Sequence, residues 1–390
     1  MKTKIIRTST ISLSLNILLK GQLRYLSTEF EIVGISSQGN DLIEVQKREN
    51  IQTISVDMER GISPVKDLIS LVKLYRTLKS EKPTIVHSIT PKAGLLTMLA
   101  GKMARIPIRM HTFTGLIFPT RTGLMQKLLI RMDQLLCWAA THVYPEGNGV
   151  KNDLIRFKIT SKPLKVLANG NVNGVDLNFF SVDAVSAEEK YRLRTNLKIA
   201  PDDFVFVFVG RLVGDKGINE LVKAFSKLDI ANTKLLLVGP LESELDPLKS
   251  STLNEINLNS NIISVGFQND VRPYFAISDA LVFPSYREGF PNVVMQAGAM
   301  KLPSIVSNIN GCNEIVVNGK NGIIIPVKDA EAINLAMHKM MEDKSLYEEI
   351  KENSRPMIES RYDQQLVWNA VAEEYKLLIC QLKNNVQKFF

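Results

Sequence analysis

Phe204-Val205-Phe206-Val207-Phe208-Val209-Gly210-Arg211-Leu212-Val213-Gly214-Asp215-Lys216-Gly217 opens as an unbroken apolar run and closes as a glycine-spaced basic loop. Consecutive Phe and Val residues without polar alternation describe a strand buried on both faces, the pattern of a parallel sheet covered by helices. Working outward, helical spacing follows over 218–227, then the strand Lys234–Val238 ending in Gly239-Pro240. Ile262–Val265, Ala280–Phe283, Pro303–Val306 and Gly322–Ile325 read as further strands, with a helix over Val293–Met300. Alternation of strand and helix with short connections predicts an α/β fold with a doubly wound parallel sheet.

The first half repeats the theme. Strands are predicted at Lys4–Arg7, Phe30–Ile35, Ile51–Val56, Thr84–His87, Ile108–His111 and His142–Tyr144, with helices over 12–27, 64–80, 92–104 and 122–139. Asn169-Gly170-Asn171 and Asn173-Gly174 are turn signals in the segment joining the halves, and Tyr362–Lys388 reads as one or two helices. A chain of 390 residues has room for two such domains. Two doubly wound domains with ligands held at their strand ends, in a cleft between them, is the expected architecture.

Composition narrows the function. Three widely spaced cysteines (Cys137, Cys312, Cys380) and four histidines without an HExxH or HxH pair argue against a disulfide framework and against a protein-held metal. The start, Met1 to Arg7, has the charge-then-apolar order of a signal peptide, but Arg7, Asn16 and Lys20 interrupt it and a first strand is expected instead. No run reaches the length needed to span a bilayer. Charge is unevenly shared: residues 1–165 carry 25 Lys and Arg against 12 Asp and Glu, a net +13, whereas residues 166–390 come to −5. Between Lys82 and Arg131 lie eight basic residues and no acidic one. Such a half faces something anionic, be it phosphate, lipid or nucleic acid, or simply solvent; no nucleic-acid recognition motif accompanies it, and nucleic acid is not expected as a partner.

Three constellations carry chemistry. In Gly210–Gly217, Arg211 brings a bidentate fork and Lys216 a mobile point charge to a strand end, a combination suited to a diphosphate, although a solvated turn would look the same. GxxxxGK[ST] and GxGxxG are both absent there. In Ser285–Gln296, Gly289, Phe290, Pro291 and Asn292 open a helix whose first amides favour anionic or hydroxyl-bearing ligands, with Glu288 beside them as acceptor or as helix cap. In Arg109–Gly115, His111 is expected at a strand end, where it would reach across the cleft toward phosphates; a satisfied structural imidazole is the alternative.

Gly210–Gly217, Glu288–Ala297 (EGFPNVVMQA), Asn173-Gly174-Val175-Asp176 and His111 together resemble the GT-B-fold retaining glycosyltransferases of family 4, over essentially the whole chain. His87–Gly115 and Tyr144–Leu154 are similar to bacterial enzymes of capsule, O-antigen and glycan assembly, the group that includes N-acetylgalactosaminyltransferases acting on undecaprenyl-diphospho-bacillosamine. The resemblance implies an N-terminal acceptor domain over 1–167, a donor domain over 168–365 and a helical segment, 366–390, returning to the N-terminal domain. It implies that Gly210, Arg211 and Lys216 neutralise the diphosphate of a nucleotide sugar, a UDP-sugar, and that no metal or other cofactor is needed. Glu288 and His111 become the catalytic pair, with Gly289, Phe290, Pro291, Asn292 and Val293 against sugar and phosphate, and Phe267 and Gly239 toward the nucleotide. Gln296 stands where the family carries a second Glu that binds ribose; an amide keeps one acceptor oxygen and loses the charge.

The same likeness gives the basic half a purpose. The acceptor would be a polyprenyl-diphosphate-linked sugar in an anionic membrane, met by Lys92, Arg109, Arg121, Lys127, Arg131 and Glu146, with Phe118, Leu124 and Leu128 dipping into the interface. Glu146 is equally readable as a helix-capping carboxylate. The implied place is the cytoplasm, peripheral on the inner face of the cell membrane. A nucleotide-sugar 2-epimerase of the same fold and a non-catalytic nucleotide-sugar-binding homologue are the competing readings.

Overall fold

The computed structural model describes residues 2–59, 61–242, 244 and 246–387. It divides into two compact units, Met1–Gly174 with Gln364–Phe390, and Val175–Asp363.

In the first unit six strands, β1 (Lys4–Thr8), β2 (Glu31–Ser36), β3 (Gln52–Ser55), β4 (Ile85–Ser88), β5 (Ile108–Phe113) and β6 (His142–Pro145), form one parallel sheet in the order β3-β2-β1-β4-β5-β6. Successive side chains leave opposite faces of a strand, and both faces are covered. Ile5, Ile32, Ile85, Ile108 and Met110 pack on one side with residues of helices Ser12–Leu18, Gln22–Ser27 and Gln364–Gln387. Ile6, Val33, Ile35 and Val86 pack on the other with helices Pro64–Glu81, Pro91–Met103 and Gly123–Ala139.

The helix expected over 12–27 is two helices, Ser12–Leu18 and Gln22–Ser27. Glu49 explains the break. Its buried carboxylate accepts the N–H groups of Gly21 (2.9 Å) and Arg24 (3.0 Å), capping the second helix from outside. Helix Gln364–Gln387 packs on this same unit through Val371, Ala372, Tyr375 and Leu378, as the returning segment was expected to do.

That helix carries the partner of an unusual core residue. Arg7 on β1 is 1 % exposed, and its guanidinium donates to Gln22 (3.0 Å) and the Tyr375 hydroxyl (2.9 Å). The same hydroxyl lies 2.7 Å from His87 Nδ1, and His87 Nε2 is 2.8 Å from Thr112. Burial first, then the charge of Arg7, holds the His87 pKa well below its usual value, so this imidazole is neutral.

The second unit repeats the topology. β7 (Phe204–Val209), β8 (Thr233–Val238), β9 (Ile262–Gly266), β10 (Ala280–Phe283), β11 (Ser304–Ser307) and β12 (Gly322–Ile325) are all parallel, in the order β12-β11-β10-β7-β8-β9. Read from its other edge this is the same order as in the first sheet, so the order reverses beside β1 in one unit and beside β7 in the other. Val205 to Phe208 are fully buried, as their unbroken apolar run requires.

Removing the Tyr375 hydroxyl leaves buried Arg7 and His87 each short of a partner. Tyr375→Phe is expected to lower stability by about 1–3 kcal/mol, read as a lower urea midpoint with an unchanged slope.

Candidate active site

The strand-order reversal at β7 places two loops side by side, the one after β7 and the one after β10. In doubly wound sheets this is where ligands bind. The loops touch closely: Gly217 adopts φ +73°, and a Cβ there would lie 2.2 Å from the Pro284 carbonyl oxygen. Only glycine fits both the backbone angle and the space. Helix Ile218–Ser226 then starts directly from this turn.

Lys216 and Glu288 are brought together here, with Arg211 at the start of the same loop after β7. Lys216 Nζ forms an ion pair with Glu288 Oε1, each side chain 17 % exposed, and Ser285 Oγ donates to the same oxygen at 2.9 Å. Arg211 pairs with Glu242 at 2.7 Å, and Arg287 with Asp215 at 3.0 Å. Tyr286 ties the loop down, donating its backbone N–H to the Asp215 carbonyl (2.8 Å) and its hydroxyl to Glu220 (2.5 Å). The helix that follows, Asn292–Ala299, has Pro291 at its N-cap, which offers no side-chain cap. Glu288 is therefore engaged by Lys216 and Ser285 and does not serve as the cap, which separates the two readings its position allowed.

The neighbouring predicted residues divide by side chain and backbone. Phe290 is buried against Tyr362, ring centroids 5.5 Å apart, and Pro291 is buried too, so neither side chain is open to solvent. Gly289, Asn292, Val293 and Gln296 are partly exposed along the same turn and helix. Gly210 and Gly239 end β7 and β8, where Gly210 N–H donates to Val238 and Gly239 N–H to Gly266. Phe267, just past β9, is 68 % exposed. Cys312 lies near Glu288, and burial, with that carboxylate second, raises its thiol pKa well above normal, leaving it an unreactive thiol.

His111 is corrected. Strand β5 runs on to Phe113, so His111 lies inside it, 1 % exposed, not at its end. It sits beneath helix Pro91–Met103, where a Cβ on Gly94 would come within 2.4 Å of its ring. Nδ1 is 2.8 Å from Ser88 Oγ, Nε2 has no hydrogen-bond partner among the described residues, and Phe113 packs edge-on at 4.5 Å. Desolvation lowers its pKa to about 3. A neutral imidazole enclosed by a helix is a packing residue.

The basic positions of the first unit also sort themselves. Lys92 is turned inward onto Asp67 (2.6 Å), and Arg109 donates to the carbonyls of Ala139 (2.7 Å) and Ile106 (2.5 Å). Neither is free for lipid or phosphate, because each holds neighbouring chain in place. Phe118 is fully buried against Phe157, a further correction, since an interior ring cannot enter a membrane. Glu146 is buried and lines a cavity of about 20 Å³ with Arg7, His87 and Tyr144, space for about one water molecule. Arg121, Lys127 and Arg131 are exposed, as are Leu124 and Leu128.

Ser285, Asp215 and Glu242 escaped the sequence reading. Ser285 and Asp215 lie inside the motifs at positions that no spacing rule marks; Glu242 follows Gly239-Pro240-Leu241, an acid one turn past a strand end, with no pattern to mark it. Among the described residues no three His, Cys, Asp or Glu side chains gather to hold a metal ion, and no helix is long and apolar enough to cross a membrane.

His111 makes a pH prediction. Unfolded it titrates near 6.5 and folded near 3, so between these values the unfolded chain binds more protons and stability falls as pH is lowered. Above 6.5 this residue adds no pH dependence. An NMR titration is expected to show the His111 ring shifts flat from about pH 8 to about pH 5; a midpoint near the ordinary value would show that the ring is solvated.

Comparison with known proteins gives the family. Residues 189–357 match the family described as glycosyl transferases group 1, and residues 27–170 the glycosyl transferase 4-like domain. The chain is 32% identical over 381 residues to the capsular polysaccharide biosynthesis glycosyltransferase CapM of Staphylococcus aureus, covering 96% of this chain and 97% of that protein. It is 31% identical to the Escherichia coli UDP-Gal:alpha-D-GlcNAc-diphosphoundecaprenol alpha-1,3-galactosyltransferase over 74% of each chain. At 27% it resembles the Campylobacter jejuni N,N'-diacetylbacillosaminyl-diphospho-undecaprenol alpha-1,3-N-acetylgalactosaminyltransferase over 84% of each. Among solved structures, Anabaena HepE in complex with UDP superposes with a TM-score of 0.79 at 18% identity, covering 96% of this chain and 100% of that one. The chain belongs to the group 1 and 4-like glycosyltransferases, built on the GT-B fold.

Proposed function

We propose that the protein moves a hexose or N-acetylhexosamine from a UDP-sugar to a polyprenyl-diphosphate-linked glycan, with retention of anomeric configuration and without a metal, in the making of a bacterial surface polysaccharide. The observation that carries the donor half is the Lys216–Glu288 ion pair at the β7–β10 reversal, on the loop that Arg211 begins. Glycosyl transfer breaks the bond between the anomeric carbon and a diphosphate oxygen, and negative charge grows on the leaving group. Arg211 and Lys216 neutralise it where a metal would otherwise be used. Lys216 is drawn to the diphosphate, and Glu288, kept in place by Ser285, is left to accept hydrogen bonds from sugar hydroxyls. Phe267 offers its exposed ring to the base, and Gln296 gives the ribose a single acceptor.

The acceptor half is supported by relatives whose names specify undecaprenyl-diphosphate-linked substrates and by the surface of the first unit. Helix Gly123–Ala139 exposes Leu124 (85 %), Met125, Leu128 and Trp138 among Arg121, Lys127 and Arg131. Helix Pro64–Glu81 exposes Val65, Leu68, Ile69 and Val72. Apolar side chains interleaved with cations suit an anionic bilayer surface, and the protein is read as peripheral on the cytoplasmic face.

UDP is expected to raise the melting temperature of the wild type, with a much smaller effect on Lys216→Ala, and Lys216→Ala and Glu288→Ala are expected to lose at least about a hundredfold in transfer rate. Equilibration of a UDP-sugar without any acceptor would instead identify an epimerase, and unimpaired glycan assembly by both variants a non-catalytic homologue. Flotation with anionic vesicles should carry the protein upward; replacing Arg121, Lys127 and Arg131 by Glu should leave it at the bottom, and equal behaviour on neutral vesicles would sink the membrane reading.

A further inference from the structure

The carboxylate that meets Arg211 is placed by backbone, not by a wandering side chain. Beyond β7 and β8 the two chains continue side by side: Leu212 N–H donates to the Pro240 carbonyl at 2.8 Å, and Leu212 and Leu241 form one more parallel rung. Arg211 precedes that rung on one chain and Glu242 follows it on the other, which sets Glu242 Oε2 2.7 Å from Arg211 Nη1. Four residues on, Asp246 holds the other half of the phosphate-facing loop. Its carboxylate accepts the Asp215 N–H at 2.5 Å and its carbonyl the Gly214 N–H at 3.1 Å. Gly214-Asp215-Lys216 is the short 3₁₀ turn that delivers Lys216 to Glu288.

Resting on the donor reading above, we propose that Glu242 and Asp246 are positioning residues for the leaving-group site. Glu242 holds one edge of the Arg211 guanidinium so that its remaining donors face the diphosphate, and Asp246 fixes the turn that carries Lys216. The opposing possibility is that Glu242 mimics the diphosphate and competes with it. Geometry favours positioning: a guanidinium has five N–H donors, Glu242 takes one nitrogen, and the Arg211 side chain stays 48 % exposed. An exposed pair of this kind adds little to stability, so its use lies in orientation. The two possibilities differ in sign, because losing a competitor tightens donor binding and losing a positioner weakens it.

The test is a double-mutant cycle read by calorimetric titration of UDP, with uridine as the probe lacking phosphate. Glu242→Gln is expected to weaken UDP about three- to tenfold, to leave uridine unchanged, and to raise the donor KM more than it lowers kcat. In an Arg211→Ala background the same substitution should have no further effect, and Glu242→Asp should recover part of the loss. Asp246→Asn should behave likewise toward Lys216→Ala. Unchanged or tighter UDP binding by Glu242→Gln, or an equal loss in the Arg211→Ala background, would overturn the proposal alone. Failure of UDP to bind the wild type would overturn the donor reading first, and this inference with it.

Discussion

A parallel sheet obliges every strand to be entered from the same end, so each strand is followed by a crossover and all the departing loops gather on one edge. At the point where the strand order reverses, two neighbouring strands send their crossovers to opposite faces, and the loops leaving them part to form a crevice. In the second unit that point lies between β7 and β10. The glycine loop after β7 and the Glu288 loop after β10 are adjacent for this reason alone, although about seventy residues separate them along the chain. Pro284 and Gly217 show how tightly the arrangement is drawn, with no room for even one methyl group between the two backbones. Everything chemical in the unit, from the Lys216–Glu288 pair to the Tyr286–Glu220 tie, depends on that adjacency.

The first unit obeys the same topology but spends its strand ends differently. Arg7, His87, Thr112 and Tyr375 form a polar network inside the sheet–helix interface, and each member depends on the others for hydrogen bonds that water would otherwise provide. Buried networks of this kind specify one arrangement, because a shift of helix Gln364–Gln387 by one turn would strand a guanidinium in an apolar layer. His111 belongs to that logic as well: it fills space beneath a helix that has Gly94 where any larger residue would collide.

How far the sequence spoke follows from what each signal measures. Unbroken apolar runs report burial on both faces, and every predicted strand from Lys4 to Ile325 is found, within a residue or two at the ends. The break at Gly21 was hidden because its cause, Glu49, lies far along the chain and acts through space. That Arg211, Lys216 and Glu288 lie on loops after buried strands was legible, since each follows an unbroken apolar run. His111 misled for the opposite reason. A histidine followed by Thr, Phe, Thr and Gly looks like the last residue of a strand, and nothing local tells that β5 continues to Phe113 beneath a helix. Lys92 and Arg109 likewise counted as surface charge when only tertiary contacts reveal that they brace Asp67 and two carbonyls.

The charges around the β7–β10 crevice are paired among themselves: Arg211 with Glu242, Lys216 with Glu288, Arg287 with Asp215. Like charges on neighbouring loops repel one another, and at these partly exposed positions solvent keeps the effect modest. Distributing three carboxylates among the cations offsets that repulsion, and in the donor reading proposed above only the Lys216–Glu288 pair opens to a diphosphate, while Glu242 stays on Arg211. On the proposed donor reading, a ligand bringing two negative charges gains more here than a single anion, since one new charge gains little against a pair already satisfied. On that reading, how the cations are balanced matters as much as their number.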